Sequence, residues 1–140
     1  LVAEAFNEFT GKYRFLSNFY PAKVKLDGVT YPTVENAYQA SKTTDKKMRV
    51  QFKYVSPTDA KWLGRRIELR PGFDNIKVKI MFDLVKQKFE DPELAKMLVG
   101  TKDSLLIEGN NWGDTFWGIC NNVGKNHLGR ILMQVRKELK

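Results

Sequence analysis

A single cysteine, Cys120, and a single histidine, His127, are all the thiol and imidazole the chain carries. One cysteine excludes an intramolecular disulfide and fits a reducing compartment, so a cytoplasmic location is expected. One residue of each kind does not make a usual zinc site. No apolar run approaches the roughly 20 residues of a membrane span, and no membrane partner is expected. The start, Leu1-Val2-Ala3-Glu4-Ala5, has neither Met nor the basic-then-apolar plan of a signal peptide. Acidic side chains are the scarcer charge: 16 Asp and Glu stand against 24 Lys and Arg, a net +8. That balance favours an anionic partner, whether nucleic acid, nucleotide or sugar phosphate. The basic residues form no single tail. Lys46, Lys47 and Arg49 make one group, and Arg65, Arg66 and Arg70 another. No repeat, linker or low-complexity tract interrupts the 140 residues, which suit one domain, 1–140, with its own core.

The most informative stretch runs from Thr33 to Lys42. Pro32 precedes Thr33, whose hydroxyl suits a helix N-cap, and Glu35 complements the dipole of the first turn. A helix to about Thr43 sets Glu35, Tyr38, Gln39 and Lys42 at i, i+3, i+4 and i+7. A carboxylate, a phenol, an amide and an amine then share one face. Val34, Ala37 and Ser41 make the opposite face small. The plain alternative is a solvated helix with a weak Glu–Lys pair.

Around it, residues 6–21 are dense in aromatics, and the polar pair Ser17-Asn18 interrupts Phe15-Leu16-Ser17-Asn18-Phe19-Tyr20-Pro21. A buried Asn must find partners, and a ligand can supply them; a core-lining loop or short strand is the plainer reading. Lys23 to Tyr31 reads as a β-hairpin about Asp27-Gly28. Helices are expected from Lys46 to about Tyr54 and from Ser56-Pro57, with Ala60, Leu63 and Ile67 as an apolar stripe. After a turn at Arg70-Pro71-Gly72 a longer helix, about Asp74 to Phe89, offers Val78, Met81, Phe82, Val85 and Phe89 and reads as the central core helix. Asp91-Pro92 opens a short helix that Gly100 ends. Ser104–Glu108 reads as extended. Residues 109–126 form a loop holding Trp112, Phe116 and Trp117, and His127 to Leu139 the last helix, with Leu128, Ile131, Leu132 and Val135 inward.

Glu35 on a capped helix and Asp114 on the aromatic loop are the two carboxylates that glycoside cleavage needs around an oxocarbenium-like transition state. Spacing alone does not bring them together. Trp117 offers a face for stacking on a base or ring. Lys42 has two active roles: an ammonium that binds phosphate or supports a charged Glu35, which we favour, or an amine that attacks ribose C1. Gly124-Lys125-Asn126-His127-Leu128-Gly129 precedes a helix. It reads as an ordinary helix entry ahead of an anion site, and it is no P-loop. His127 reads as a surface or capping residue and Cys120 as a small buried side chain.

Four motifs in order carry a resemblance over most of the chain: Phe15-Leu16-Ser17-Asn18-Phe19-Tyr20-Pro21; Thr33, Glu35, Tyr38, Gln39 and Lys42; Asp114, Trp117 and Gly118; and Gly124, Asn126, Leu128, Gly129, Leu132, Met133 and Arg136. With them the chain resembles the NADAR family, the YbiA-like N-glycosidases. The resemblance implies a mainly α (α+β) domain with a small antiparallel β element. It implies hydrolysis of an N-glycosidic bond at ribose, with no metal or redox cofactor. The implied substrates are phosphorylated ribosylamino-pyrimidine intermediates of riboflavin synthesis, or ADP-ribosylated guanine, with a nucleic acid carrying ADP-ribose as partner. Glu35 and Asp114 are the implied acidic pair. Ser17, Asn18, Phe19, Tyr38, Gln39, Phe73, Trp117, Gly118 and Asn126 are the expected substrate contacts. The resemblance also implies a tryptophan at the start of the long helix, at the position that Phe73 occupies here; stacking survives that change and an indole N–H contact does not. The alternative from another class is a module that binds ADP-ribose or nucleic acid without cleaving it, for which the Glu35/Asp114 pair has no use.

Overall fold

Thr33 begins the first α-helix as expected: its backbone is extended and its Oγ1 accepts from the Asn36 N–H at 3.1 Å. The structure is a computed structural model that describes residues 5–6 and 8–140, so most of the stretch from Leu1 to Ala5 lies outside the described residues. The chain divides into two compact units, residues 18–88 and residues 1–17 with 89–140. Both are mainly helical with a small β component, an α+β fold as expected.

The first unit opens with the hairpin β2 (Val24–Leu26) and β3 (Val29–Tyr31), antiparallel with Val24 opposite Tyr31. Asp27 and Gly28 both take positive φ, as the tight turn demands. Then come α1 (Val34–Ala40), α2 (Lys46–Gln51), α3 (Pro57–Gly64) and α4 (Phe73–Lys88). Asp45 caps α2 by accepting from the Lys47 and Met48 amides, and Ser56 caps α3. Two helices end early. α1 stops at Ala40 because the Ser41 hydroxyl turns back to the Tyr38 carbonyl, and α2 stops at Gln51 rather than Tyr54.

The core assignment needs correcting. α1, not α4, is the central helix: all seven of its residues are buried, and it packs on α2, α3, α4 and both hairpin strands. The buried face of α4 is Phe73, Met81, Leu84, Val85 and Lys88, while Val78 is exposed and Phe82 half-buried. On α3 the buried positions are Ala60 and Gly64; Leu63 is half-buried and Ile67 lies beyond the helix.

The second unit contains a 3-10 helix over Gly11–Leu16, where a loop or strand was expected, and α5 (Pro92–Val99), capped by Asp91. α6 (His127–Leu139) has the expected bounds and the expected inward residues. Strand β1 (Ala5–Phe6) pairs with β4 (Leu105–Leu106), and β5 (Gly109–Asn110) with β6 (Ile119–Cys120). Both pairs are parallel, unlike the hairpin.

Candidate active site

In the first unit most of the expected site residues lie on or beside α1. Glu35, Tyr38 and Gln39 sit on its consecutive turns, and all three are buried. The solvated-helix alternative therefore fails. Glu35 Oε2 accepts from Gln39 Nε2 at 2.6 Å, an i,i+4 contact. The Glu35 N–H donates to the Asn18 carbonyl at 3.1 Å, which supplies one of the amide partners a helix start lacks. Asn18 is itself buried, and its Nδ2 contacts Met81 Sδ of α4 at 3.4 Å. Tyr38 packs its ring on Phe73, the first residue of α4, with centroids 5.8 Å apart. Lys42 leans back over the same Tyr38 ring, Nζ 5.9 Å from its centroid. Burial pushes the Lys42 ammonium below its ordinary range. Glu35 opposes that shift, and Arg65, Lys77 and Lys61 reinforce it. Phe19 is half-buried.

Gln39 Oε1 is buried without a hydrogen-bond partner among the described residues. It faces Gly64 of α3 so closely that a Cβ there would come within 1.9 Å. Gly64 is thus required by close approach, and it fixes where the Gln39 amide stands. Asn36, which the sequence reading passed over, ties the site from behind. Its Nδ2 donates to the Phe52 and Val55 carbonyls at 2.8 Å each, and its Oδ1 accepts from the Thr33 hydroxyl at 2.6 Å. Asn is a weak helix former, and its presence in a first turn was the available signal.

In the second unit Asp114, Trp117, Gly118 and Asn126 sit on or beside the 109–126 loop, and Ser17 closes the 3-10 helix. Asp114 Oδ1 accepts from the Phe116 and Trp117 amides at 3.0 and 2.9 Å. Its main chain exchanges two bonds with the Asn110 side chain. Asn126 has a left-handed backbone; its Oδ1 accepts from the Glu108 N–H and its Nδ2 donates to the Leu106 carbonyl, both at 2.9 Å. Gly118 lies so close to the Glu108 carbonyl that a Cβ would come within 2.0 Å.

The weaker anion-site reading of residues 124–129 is overturned. The amides of Lys125, Asn126, His127 and Leu128 donate to the carbonyls of Thr115, Gly118, Phe116 and Trp117. His127, the first residue of α6, is half-buried with its ring 4.4 Å from that of Phe116. Cys120 is half-buried rather than fully so. Glu35, with its neighbours, and Asp114, with its own, belong to different units. Among the described residues no group of three His, Cys, Asp or Glu converges, and no helix is long and apolar enough to cross a membrane.

Comparisons with known proteins bear on this arrangement. A family model described as "NADAR domain" matches residues 5–140. The chain is similar to "N-glycosidase YbiA" of Shigella flexneri serotype 5b, 37% identical over 132 residues, 91% of this chain and 82% of that protein. It is 38% identical over 141 residues to "Riboflavin biosynthesis protein VVA0006" of Vibrio vulnificus, covering 96% of this chain and 38% of that one. The NMR structure of the E. coli protein YbiA superposes with a TM-score of 0.87 at 34% identity, over 99% of this chain and 86% of the other.

Proposed function

The chain belongs to the NADAR family and is an N-glycosidase, and from that premise we propose that it hydrolyses the bond between nitrogen and ribose C1 in a phosphorylated ribosylamino-pyrimidine or an ADP-ribosylated guanine. The whole of residues 1–140 acts as one NADAR domain in this reading, in the cytoplasm. The observation that carries it is the buried Glu35 carboxylate, gripped by Gln39 and accompanied by the half-buried Lys42. A carboxylate so placed is well suited to stabilise positive charge on the ribose ring.

In the proposed reaction the C1–N bond breaks and its electron pair leaves with the nitrogen. Water oxygen bonds to C1, one water proton passes to a carboxylate, and the leaving nitrogen gains a proton. Glu35 is assigned one of the two carboxylate tasks and Asp114 the other. Lys42 acts as an ammonium that attracts phosphate and favours the charged form of Glu35. Tyr38, Phe73, Phe19 and Trp117 are assigned to the base and sugar, and Ser17, Asn18, Gln39, Gly118 and Asn126 to the remaining substrate contacts.

A product assay on both substrate types tests the reading. Release of ribose phosphate or ADP-ribose is expected from at least one; neither product from a folded protein would refute it. Borohydride during turnover is expected to trap no adduct at Lys42, and an adduct there would replace the electrostatic role with a covalent one.

A further inference from the structure

The first unit holds a groove that the reaction above does not use. It encloses about 460 Å³ between Thr43, Thr44, Asp45 and Met48 on one side and the segment from Arg66 to Pro71 on the other. It is fastened to the end of α1. The Arg70 N–H donates to the Lys42 carbonyl at 2.7 Å, and Arg70 Nη1 reaches the Ser41 carbonyl at 3.4 Å. The groove therefore begins one residue past Lys42.

Its volume is that of a small-ligand site, typically ~300–1,000 Å³, and exceeds what a lone phosphate fills. Its lining is mixed: Met48, Leu69 and Pro71 are apolar, Thr43 and Thr44 bring hydroxyls, and Arg66 and Arg70 bring guanidinium groups. Two carboxylates also line it. Asp45 spends Oδ1 on the α2 amides, and Glu68 is exposed. The flanking segments are basic. Lys46 and Lys47 follow Asp45, while Lys61 and Arg65 precede Arg66. Arg49 is engaged with Asp27 at 2.6 Å, and its Nε donates to the carbonyl of the groove-lining Thr43 at 2.7 Å.

We infer that this groove holds the 5′-phosphate end of the ribosyl substrate, with Arg66 and Arg70 as its cations and the ribose extending toward Lys42 and Glu35. The assignment rests on the ribosyl-phosphate reading above. A guanidinium presents paired N–H donors that match phosphate oxygens, which a surface lysine does not. The apolar wall accommodates a nucleoside beyond a diphosphate, so a monoester and an ADP-ribosyl group share the recognised chemistry.

The test titrates the full chain with ribose, ribose 5-phosphate and ADP-ribose, alongside Arg66→Ala and Arg70→Lys. Arg66 is exposed, so its truncation leaves the fold in place; Arg70→Lys keeps the charge and loses the fork. Affinity for phosphorylated probes is expected to fall tenfold or more in Arg66→Ala, and less in Arg70→Lys, with ribose unaffected. Loss confined to ADP-ribose assigns the groove to a diphosphate; loss for both probes assigns it to the shared 5′-phosphate. Unchanged affinity in both variants, or no binding of either probe by the parent protein, overturns the proposal. Binding through Arg66 without cleavage of any N-glycoside keeps the groove and removes the reaction. Cleavage whose KM is unmoved by Arg66→Ala does the reverse.

Discussion

The two units spend their polar side chains differently. In residues 18–88 the groups on and just after α1 meet one another: Gln39 holds Glu35, and Lys42, two residues past the helix end, lies over Tyr38. In the unit that ends in α6 they hold backbone. Asn126 binds Leu106 and Glu108, Asn110 binds Asp114, and Asp114 Oδ1 binds two amides of its own loop. The first arrangement leaves an ionisable cluster inside a helical scaffold. The second turns a glycine- and asparagine-rich loop into a fixed shape. A substitution in the first should be felt mainly in chemistry, and one in the second mainly in the loop's geometry.

The largest effect is expected at the two carboxylates. Glu35→Gln keeps an acceptor of nearly the same shape and loses the charge, so kcat should fall by about 10²–10⁴-fold with thermal stability nearly unchanged. Asp114→Asn keeps an Oδ1 for the Phe116 and Trp117 amides. If Asp114 is catalytic, this variant melts like the parent and loses activity comparably. A fully active Asp114→Asn beside an unstable Asp114→Ala would make the residue a loop strut only. Steady-state rates and melting curves on the three proteins decide.

Next come the two close-approach glycines, which separate the units directly. At Gly118 an added methyl meets the Glu108 main-chain carbonyl, and backbone gives way at a cost of ~1–3 kcal/mol or more. At Gly64 it meets the end of the Gln39 side chain, which can swing away. Gly64→Ala should therefore cost less stability and show its effect as about a tenfold loss of turnover, because Gln39 then releases Glu35. Denaturant melts with parallel rate measurements check this. Equal stability losses at the two sites would break the comparison.

Asn126→Ala should destabilise by ~1–3 kcal/mol, since it strands the Leu106 carbonyl and the Glu108 N–H and leaves a non-glycine residue at positive φ. Turnover per folded molecule should change little if its two bonds to backbone are its whole task. A large rise in KM with unaltered melting would instead support the substrate contact that the family resemblance implies.

Much of this was legible from local chemistry. Thr33, Ser56 and Asp91 announce their helices because a cap needs only a side chain and the next few amides. Asp27-Gly28 announces the hairpin because few residues accept positive φ. Glu35, Tyr38 and Gln39 were legible from helical spacing, whereas Lys42, expected on the same helix, lies two residues past its end; the burial of the three was not legible, since nothing local says what covers a helix. For the same reason the wide apolar face of α4 left its inward direction ambiguous, and Val78 was chosen over Leu84. The carbonyls of residues 115–118 that satisfy the start of α6 come from a loop about ten residues upstream. No composition rule anticipates that pairing.

The smallest effect expected is a pH dependence confined to the first unit. Burial disfavours the Lys42 ammonium; Glu35 favours it; Arg65, Lys77 and Lys61 add to the disfavour, and the native value falls below the ordinary 10.5. Below the native value both folded and unfolded chains carry the proton, so the full cost of the buried charge is present. Between the native value and 10.5 the unfolded chain holds more protons, and stability rises with pH. Above 10.5 the cost is gone. Lys42→Gln removes the titrating group and leaves the other lysines and tyrosines in place. The stability of the parent relative to this variant should therefore climb as pH is raised toward 10.5, read from urea melts of both proteins at matched pH. A difference that stays flat would mean that Lys42 is as well solvated in the folded protein as in the unfolded chain. A difference that falls with pH would mean that Glu35 outweighs burial and the three neighbouring cations, making Lys42 an ion-pair partner.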